Sequence, residues 1–297
     1  MNFWKCSLIT SFACLSTIAL STATTRQSNS DFKIATTFLP IHLFTKAVVG
    51  DLAQVDILIA PGTEVHDYQA TPKDVKLLTE ANVLVTNGLG IEEFLTGLVT
   101  NANNSELQSV STSEGIEAIE ERESEHLHQE KNPHIWLDPV LAQQQVANIR
   151  DRLIAIDPNN ADSYHLNAET YIQQLQQLDS EFRQRLAPVK GCKFITFHNA
   201  FPYLSQRYGL QQEAVVEIPE DSITPKDIQR VQKAAKRYQV KALLTESSIE
   251  DKRVKQISND LNIPLEAIDT LESGETDPQY YFQAMKKNLA ALERACS

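Results

Sequence analysis

The sequence predicts an α/β protein built from two similar β/α lobes with mainly parallel sheets, joined by one long rigid helix. Three observations predict this fold: a duplicated segment, apolar strands at matching positions around both copies, and a long amphipathic stretch between them. Alternating strand and helix patterns are typical of parallel sheets. The chain has 297 residues, of which 42% are hydrophobic and 22% charged, so it can bury a large core and is not disordered.

The duplicated segment is TPKDV at residues 71–75, which recurs as TPKDI at residues 224–228. In each copy Thr suits the N-cap of a helix, Pro suits the first helical position, and Asp suits the positively charged helix end. Apolar segments occupy matching places around the two copies. They are residues 33–37, 55–60 and 83–85 in the first half, and residues 193–197, 214–218 and 242–244 in the second.

One long helix is predicted between the two halves. Asp157 can cap it, Pro158 fits its first position and Pro188 ends it. Apolar residues recur every three or four positions throughout, which is typical of one buried helix face. Roughly thirty residues give a rod of about 45 Å, which would resist a wide hinge motion between the lobes.

The N-terminal segment has the features of a secretory signal. Residues 1–23 hold one cation, Lys5, then an apolar run and a small-x-small pattern that fits cleavage after Ala23. The protein is therefore expected in the periplasm or elsewhere outside the cytoplasm. Cys14 suggests a lipid anchor as the alternative, but the preceding residues make a poor lipobox, so anchoring is disfavoured. The remaining chain divides into an N-terminal lobe (31–138), a connecting helical segment (139–188) and a C-terminal lobe (189–297).

The charge balance limits the kinds of partner. The formal net charge is −12 and the pI is near 5.1, so the chain as a whole has no electrostatic reason to bind nucleic acid or an anionic membrane surface. Seven glutamates and two histidines, His126 and His128, lie within residues 114–130, which favours a surface loop. This loop is either solvated or a weak auxiliary metal site.

Two cysteines remain after removal of the predicted signal, Cys192 and Cys296. An exported chain with two cysteines is expected to form one disulfide. The alternative is two separate thiols, since the sequence does not show whether the two residues lie close together.

Four side chains are candidate metal ligands. His66 follows an apolar strand, His198 follows another and opens a helix, Asp269 follows the strand at residues 265–268, and His134 lies in a proline-bounded turn. Open α/β sheets bind ligands beyond the carboxyl ends of their strands, so the cleft between the lobes is the natural meeting point. Three imidazoles and one carboxylate suit tetrahedral Zn²⁺. Their wide spacing leaves a simpler alternative open, in which each is an ordinary polar residue.

Four sequence strings resemble the zinc/manganese-specific substrate-binding proteins of ABC importers, in particular ZnuA-like proteins. The strings are PGTEVHDYQATPKD, NPHIWLDP, TFHNAFPYL and DTL, and the resemblance covers nearly all of the chain after residue 30. It implies two lobes with the metal between them, a monomer and a permease as partner. It also implies a ligand set, a metal and supporting residues: His66, His134, His198 and Asp269 binding Zn²⁺, with Asp138 and Glu246 as candidates for orienting the imidazoles.

Two alternative functions are weighed against zinc delivery. A manganese-binding protein of the same family is the first, but manganese-type members have glutamate where this chain has His198, and manganese prefers oxygen ligands. A zinc hydrolase is the second. A catalytic zinc keeps an open position for water, and the sequence has neither a His-Glu-x-x-His motif nor a nucleophile elbow. We therefore expect a binding protein and not an enzyme.

Overall fold

The computed structural model describes most of the chain beyond the predicted signal segment. The described residues are 31–121, 130–216, 223–246 and 252–297, together with Met1 and Ile218. Residues 1–23, apart from Met1, therefore lie outside them, as do His126 and His128. No helix within this described part is both long enough and apolar enough to cross a membrane.

The N-terminal lobe is built on a parallel four-stranded sheet. Its elements are β1 (Lys33–Thr36), α1 (Leu39–Val49), β2 (Gln54–Ile57), α2 (Pro72–Glu80), β3 (Val83–Thr86), α3 (Leu95–Ala102) and β4 (Gln108–Ser111). The strand order is β2-β1-β3-β4, and all three pairings are parallel. The carboxyl ends of these strands therefore meet at one edge of the sheet.

The C-terminal lobe is built on a second parallel four-stranded sheet. Before it come a two-stranded hairpin, β5 (Glu120–Glu121) and β6 (Glu130–Lys131), and two helices, α4 (Pro139–Ile156) and α5 (Ala161–Leu186). The elements of the lobe are β7 (Lys193–His198), α6 (Pro202–Tyr208), β8 (Gln211–Val216), α7 (Pro225–Tyr238), β9 (Leu243–Glu246), α8 (Lys252–Leu261), β10 (Leu265–Ile268) and α9 (Tyr280–Cys296). The strand order is β10-β9-β7-β8, with every pairing parallel.

The two sheets have the same plan, which confirms the predicted fold class. In each sheet the second strand of the lobe lies at one edge, followed by the first, the third and the fourth. The two orders are β2-β1-β3-β4 and β8-β7-β9-β10. The repeated helices α2 and α7 begin in the same way, with the N-cap threonine and the aspartate three residues later bonded to each other in a capping box. The Thr71 N–H donates to Asp74 Oδ2 at 2.7 Å, and the Thr224 N–H donates to Asp227 Oδ2 at 3.0 Å.

The long helix α5 begins later than predicted. Residues Pro158–Asn160 form a 3₁₀ turn, and Asp157 bonds Asn160 Nδ2 and the Tyr164 hydroxyl instead of capping an α-helix. The helix therefore has 26 residues and spans about 39 Å instead of about 45 Å. Its predicted apolar face is confirmed by the buried residues. These are Tyr164, Ala168, Tyr171, Leu175, Leu178, Phe182 and Leu186.

The main core is shared between the two halves. Helices α1, α5 and α9 all contribute to one buried cluster, in which Phe44 packs edge-on against Tyr171 and Tyr281. The disulfide between Cys192 and Cys296 joins the start of β7 to the end of α9, which confirms the predicted bridge. A smaller second core lies against the other face of the C-terminal sheet, where α7 and α8 cover it. The lobe boundaries after residues 138 and 188 stay a prediction.

The acidic segment is ordered at both ends. Glu120 and Glu121 pair antiparallel with Lys131 and Glu130, so the ends of the predicted loop form a short hairpin. Its middle, residues 122–129, lies outside the described residues, and the auxiliary site at His126 and His128 stays a prediction.

Candidate metal centre

His66 reaches the cleft from a loop that follows β2. The chain continues the strand's pairing for two residues, because the N–H groups of Leu58 and Ile59 donate to the carbonyls of Thr36 and Thr37. Gly62 then turns the loop with a φ of 87°, a conformation that favours glycine. Its N–H donates to the carbonyl of Glu272 at 2.9 Å, which joins this loop to one in the C-terminal lobe.

His134 is held in a 3₁₀ turn between two prolines. The side chain is 1% exposed, and its Nδ1 lies 3.1 Å from the side-chain oxygen of Asn132. Asn132 Oδ1 also accepts from the His134 N–H, and Asn132 Nδ2 donates to the carbonyl of Asn199 at 2.7 Å. This network identifies the oxygen of the amide, so His134 Nδ1 is the donor and Nε2 carries a lone pair.

His198 ends β7 and is fully buried. Its Nδ1 lies 2.7 Å from Glu246 Oε1, at the end of the nearby strand β9. A carboxylate only accepts hydrogen bonds, so His198 Nδ1 carries a proton, and in the neutral imidazole Nε2 again presents a lone pair. Carboxylate-to-imidazole bonds of this kind fix the orientation of metal-binding histidines.

The three imidazoles converge on one point. One ligand atom from each of His66, His134 and His198 lies within 4.8 Å of the other two. The Nε2 atoms of His134 and His198 are 3.2 Å apart, and when both imidazoles are neutral neither Nε2 has a proton to donate to the other. Two facing lone pairs repel unless a cation lies between them. His66 Nε2 is buried and has no hydrogen-bond partner among the described residues.

These observations fit a zinc ion. Zn–N bonds of about 2.0–2.1 Å in tetrahedral geometry place neighbouring nitrogens about 3.3 Å apart. The Nε2–Nε2 separation of 3.2 Å for His134 and His198 agrees with that value. A bound cation would also give the buried Nε2 of His66 a partner.

The three imidazoles have different proton affinities. Burial, followed by the neighbouring His198, lowers the pKa of His66 to about 4. Burial and the other two histidines hold the pKa of His134 well below its usual value. Burial also disfavours protonated His198, but the charge and hydrogen bond of Glu246, with Glu272 and Glu64, outweigh it and raise the pKa. His198 is thus the ligand at which protons compete most strongly.

The structure does not bring Asp269 into the three-histidine group. Its Oδ1 accepts from the Leu271 N–H at 2.7 Å, and its Oδ2 accepts from the Tyr280 hydroxyl at 2.9 Å. The Asp269 N–H donates to Asn288 Oδ1, and the Asp269 carbonyl accepts from Asn288 Nδ2. Both carboxylate oxygens are therefore occupied in holding the loop after β10.

The same loop contains a second carboxylate, Glu272. Glu272 Oε1 is buried, and the charge of Glu272 raises the pKa of His198. Its carbonyl is bonded to Gly62 on the loop that carries His66. The sequence signal for Glu272 is its position, three residues after Asp269 in the loop that follows β10.

The two residues proposed to orient imidazoles behave differently. Glu246 contacts His198, as proposed. Asp138 does not contact an imidazole in the described contacts: it accepts from the Val140 N–H at the start of α4 and from Arg207 at 2.8 Å. Proline at the first position of α4 makes Asp138 its N-cap, and Asn132 contacts His134 instead. The role predicted for Asp138 therefore has no supporting contact among the described residues.

The comparisons with known proteins agree with this site. Residues 34–295 match the family described as zinc-uptake complex component A, periplasmic (ZnuA). The chain belongs to the ZnuA family. It is 32% identical to the high-affinity zinc uptake system protein ZnuA of Bacillus subtilis, over 95% of this chain and 94% of that protein.

Other relatives differ in length and in the metal for which they are named. The zinc-binding lipoprotein AdcA of Streptococcus pneumoniae is 30% identical over 97% of this chain, which spans only 60% of AdcA. The manganese ABC transporter substrate-binding lipoprotein PsaA of the same species is 31% identical, over 93% of this chain and 92% of PsaA. The crystal structure of Zn(II)-bound AdcA superposes with a TM-score of 0.76 at 30% identity, covering 90% of this chain and 58% of that one.

Proposed function

We propose that this protein binds Zn²⁺ with high affinity outside the cytoplasm and delivers it to the permease of an ABC-type importer. The convergence of the imidazoles of His66, His134 and His198 carries this proposal. The family and the zinc uptake protein of Bacillus subtilis support delivery to an importer. Zn²⁺ is the transported cargo and takes no part in a reaction.

Zinc is favoured over manganese by the atoms that meet in the cleft. Three nitrogen ligands suit the borderline-soft Zn²⁺, whereas Mn²⁺ prefers more oxygen ligands and a higher coordination number. The relative named for manganese keeps that metal as the alternative within the family. Competition between the two ions for the metal-free protein decides between them.

Calorimetric titration of metal-free protein tests the proposal. We expect one equivalent of zinc to bind tightly, and His198→Ala to weaken that affinity by more than about a hundredfold, since loss of supporting residues alone costs 10–100-fold. His165→Ala is the matched control, because His165 is an exposed histidine of α5 beside Glu169. Unchanged affinity in the His198 variant would refute the site.

We propose Glu272 as the fourth protein ligand in place of Asp269, which secures the loop. Its buried oxygen and its influence on His198 support this assignment. Glu272→Gln should weaken zinc binding more than Asp269→Asn in the same titration. The reverse order would restore Asp269 as the ligand.

The proposed location is outside the cytoplasm, and the choice of anchor is revised. Two relatives are named lipoproteins, so the earlier preference against a lipid anchor has no support from the family. Mass spectrometry of the exported chain, comparing cleavage after Ala23 with lipidation of Cys14, distinguishes the two forms. A monomeric protein that does not bind nucleic acid remains our proposal, and light scattering with and without DNA tests it.

A zinc hydrolase is disfavoured. Three imidazoles can also hold a catalytic zinc, so the ligand set alone does not decide the question. The relatives are named for uptake and binding, which favours transport. Turnover of generic ester or peptide substrates by the zinc-loaded protein would contradict this proposal.

A further inference from the structure

Positive charge is concentrated on one helix of the C-terminal lobe. Residues 225–241 contain six lysines and arginines and one acidic residue, in a chain whose net charge is −12. Four of the six lie at positions i, i+4, i+7 and i+11 of α7, which places them along one face of the helix. They are Lys226, Arg230, Lys233 and Arg237, and all four are exposed. We call this row the basic face.

The basic face is directed away from the core. The buried residues of α7 are Val231, Ala234 and Ala235, which pack toward the second core on the other side of the helix. Arg230 bonds Glu213 and Asp227, whereas Lys226 and Lys233 make no ion pair with any described residue. Their charges are therefore available to an external partner.

The duplicated helix α2 shows that the fold does not require this charge. Both helices begin with the same Pro-Lys-Asp sequence and the same capping box. At the positions that match Arg230 and Lys233, α2 has Leu77 and Glu80. Lysines that only solvate a helix surface would be expected on both copies, so the excess on α7 calls for a separate explanation.

We propose that the basic face docks on the anionic headgroups of a phospholipid membrane. The row extends about 16 Å along the helix, which exceeds the screening length of about 10 Å at 0.1 M salt. The distant acidic charges of the protein are therefore screened at contact, while the basic face is not. The net negative charge of the protein therefore opposes membrane binding only when a face other than the basic face is turned toward the membrane.

The chemistry of the basic face fits a lipid surface better than a protein. A specific protein interface has a central cluster of apolar or aromatic residues, and the row of cations contains none. Its carboxyl end carries Tyr238, an exposed aromatic residue beside Arg237 and Lys193, and amphipathic tyrosines are typical of membrane interfaces. Flexible lysines suit a continuous array of phosphates. The docking does not depend on zinc.

Flotation with lipid vesicles tests the proposal, using exported chain that mass spectrometry shows to carry no lipid on Cys14. Vesicles of equal parts phosphatidylglycerol and phosphatidylcholine should bind the protein at about 0.1 M salt, and vesicles of phosphatidylcholine alone should not. The double variant Lys226→Glu/Lys233→Glu should weaken this binding at least about tenfold, since each cation near the surface contributes to it. The matched control is Lys73→Glu/Lys76→Glu on α2, which changes the charge equally and should bind as the wild type does.

Zinc titration of both double variants separates this proposal from the zinc-binding function. Both should still bind one equivalent, which also shows that they fold. The proposal fails if the wild-type protein does not float with the anionic vesicles, or if the two double variants lose binding equally. The importer can also be reconstituted in vesicles of phosphatidylcholine alone. If it captures the wild-type protein but not the Lys226→Glu/Lys233→Glu variant, the basic face binds an acidic protein and the lipid proposal is wrong.

Discussion

The two lobes have the same strand order but support their imidazoles differently. In the N-terminal lobe, His134 faces the neutral amide oxygen of Asn132 and His66 Nε2 has no described partner, and both have lowered pKa values. In the C-terminal lobe, His198 faces the carboxylate of Glu246 and its pKa is raised. The N-terminal lobe thus supplies two neutral imidazoles, and the C-terminal lobe supplies the negative charge that compensates the charge of a bound cation.

The largest expected effect tests how firmly the C-terminal lobe is joined to the shared core. Replacing Cys192 and Cys296 with serine should lower the free energy of unfolding by about 2–5 kcal/mol, because the bridge closes a loop of 104 residues. Urea denaturation measures this loss. Each single variant should lose about as much as the double variant, since either one breaks the bridge. Stability equal to the wild type would show that packing of α9 alone joins the lobes.

A smaller effect should separate the two kinds of imidazole support. Glu246→Gln should lower zinc affinity about 10–100-fold, because the charge-assisted bond to His198 Nδ1 is lost. Asn132→Ala removes a neutral bond to His134 and should cost less. Competition with a chelator measures both affinities. Equal losses would mean that the difference between the lobes has no role in binding.

The smallest effect is a dependence on pH. The raised pKa of His198 means that zinc must displace a proton from His198 at a higher pH than from His66, whose pKa is lowered to about 4. Below the pKa of His198, affinity should fall about tenfold per pH unit as pH decreases toward 5. Titrations in a series of buffers measure the slope. A slope of three below pH 6.5 would mean that all three imidazoles titrate normally.

The same shifts predict opposite effects on the metal-free protein. The raised pKa of His198 stabilises the fold below its unfolded value of 6.5, and this contribution is lost as pH rises through the folded pKa. The lowered pKa of His66 acts in the other direction: its contribution is present above pH 6.5 and is lost as pH falls toward about 4. Thermal unfolding across this range measures the sum of the two.

The parts of the molecule that depend on local chemistry could be predicted from sequence. The TPKD repeats specify capped helices through residues three apart, and the apolar spacing of α5 specifies its buried face. His66 and His198 follow strands, so parallel pairing alone brings them to the cleft edge. The family resemblance supplied His134, which lies in a turn.

The roles that the sequence leaves open concern side chains with more than one available partner. Asp138 could cap α4, bind Arg207 or orient an imidazole, and only the folded positions show that it does the first two. Asp269 and Glu272 lie three residues apart in one loop, and the hydroxyl of Tyr280 determines which carboxylate is occupied. The start of α5 depended on whether Pro158 opened an α-helix or a 3₁₀ turn. Such choices depend on contacts between distant residues.

The position of α9 in the main core affects when the protein can fold. Helices α1 and α9 lie at opposite ends of the described chain, yet Phe44 of α1 packs against Tyr281 of α9. A nascent chain still lacking α9 leaves the faces of α1 and α5 uncovered and the loop of Asp269 without Tyr280 and Asn288. We therefore expect the main core and the loop after β10 to become ordered only when α9 is in place.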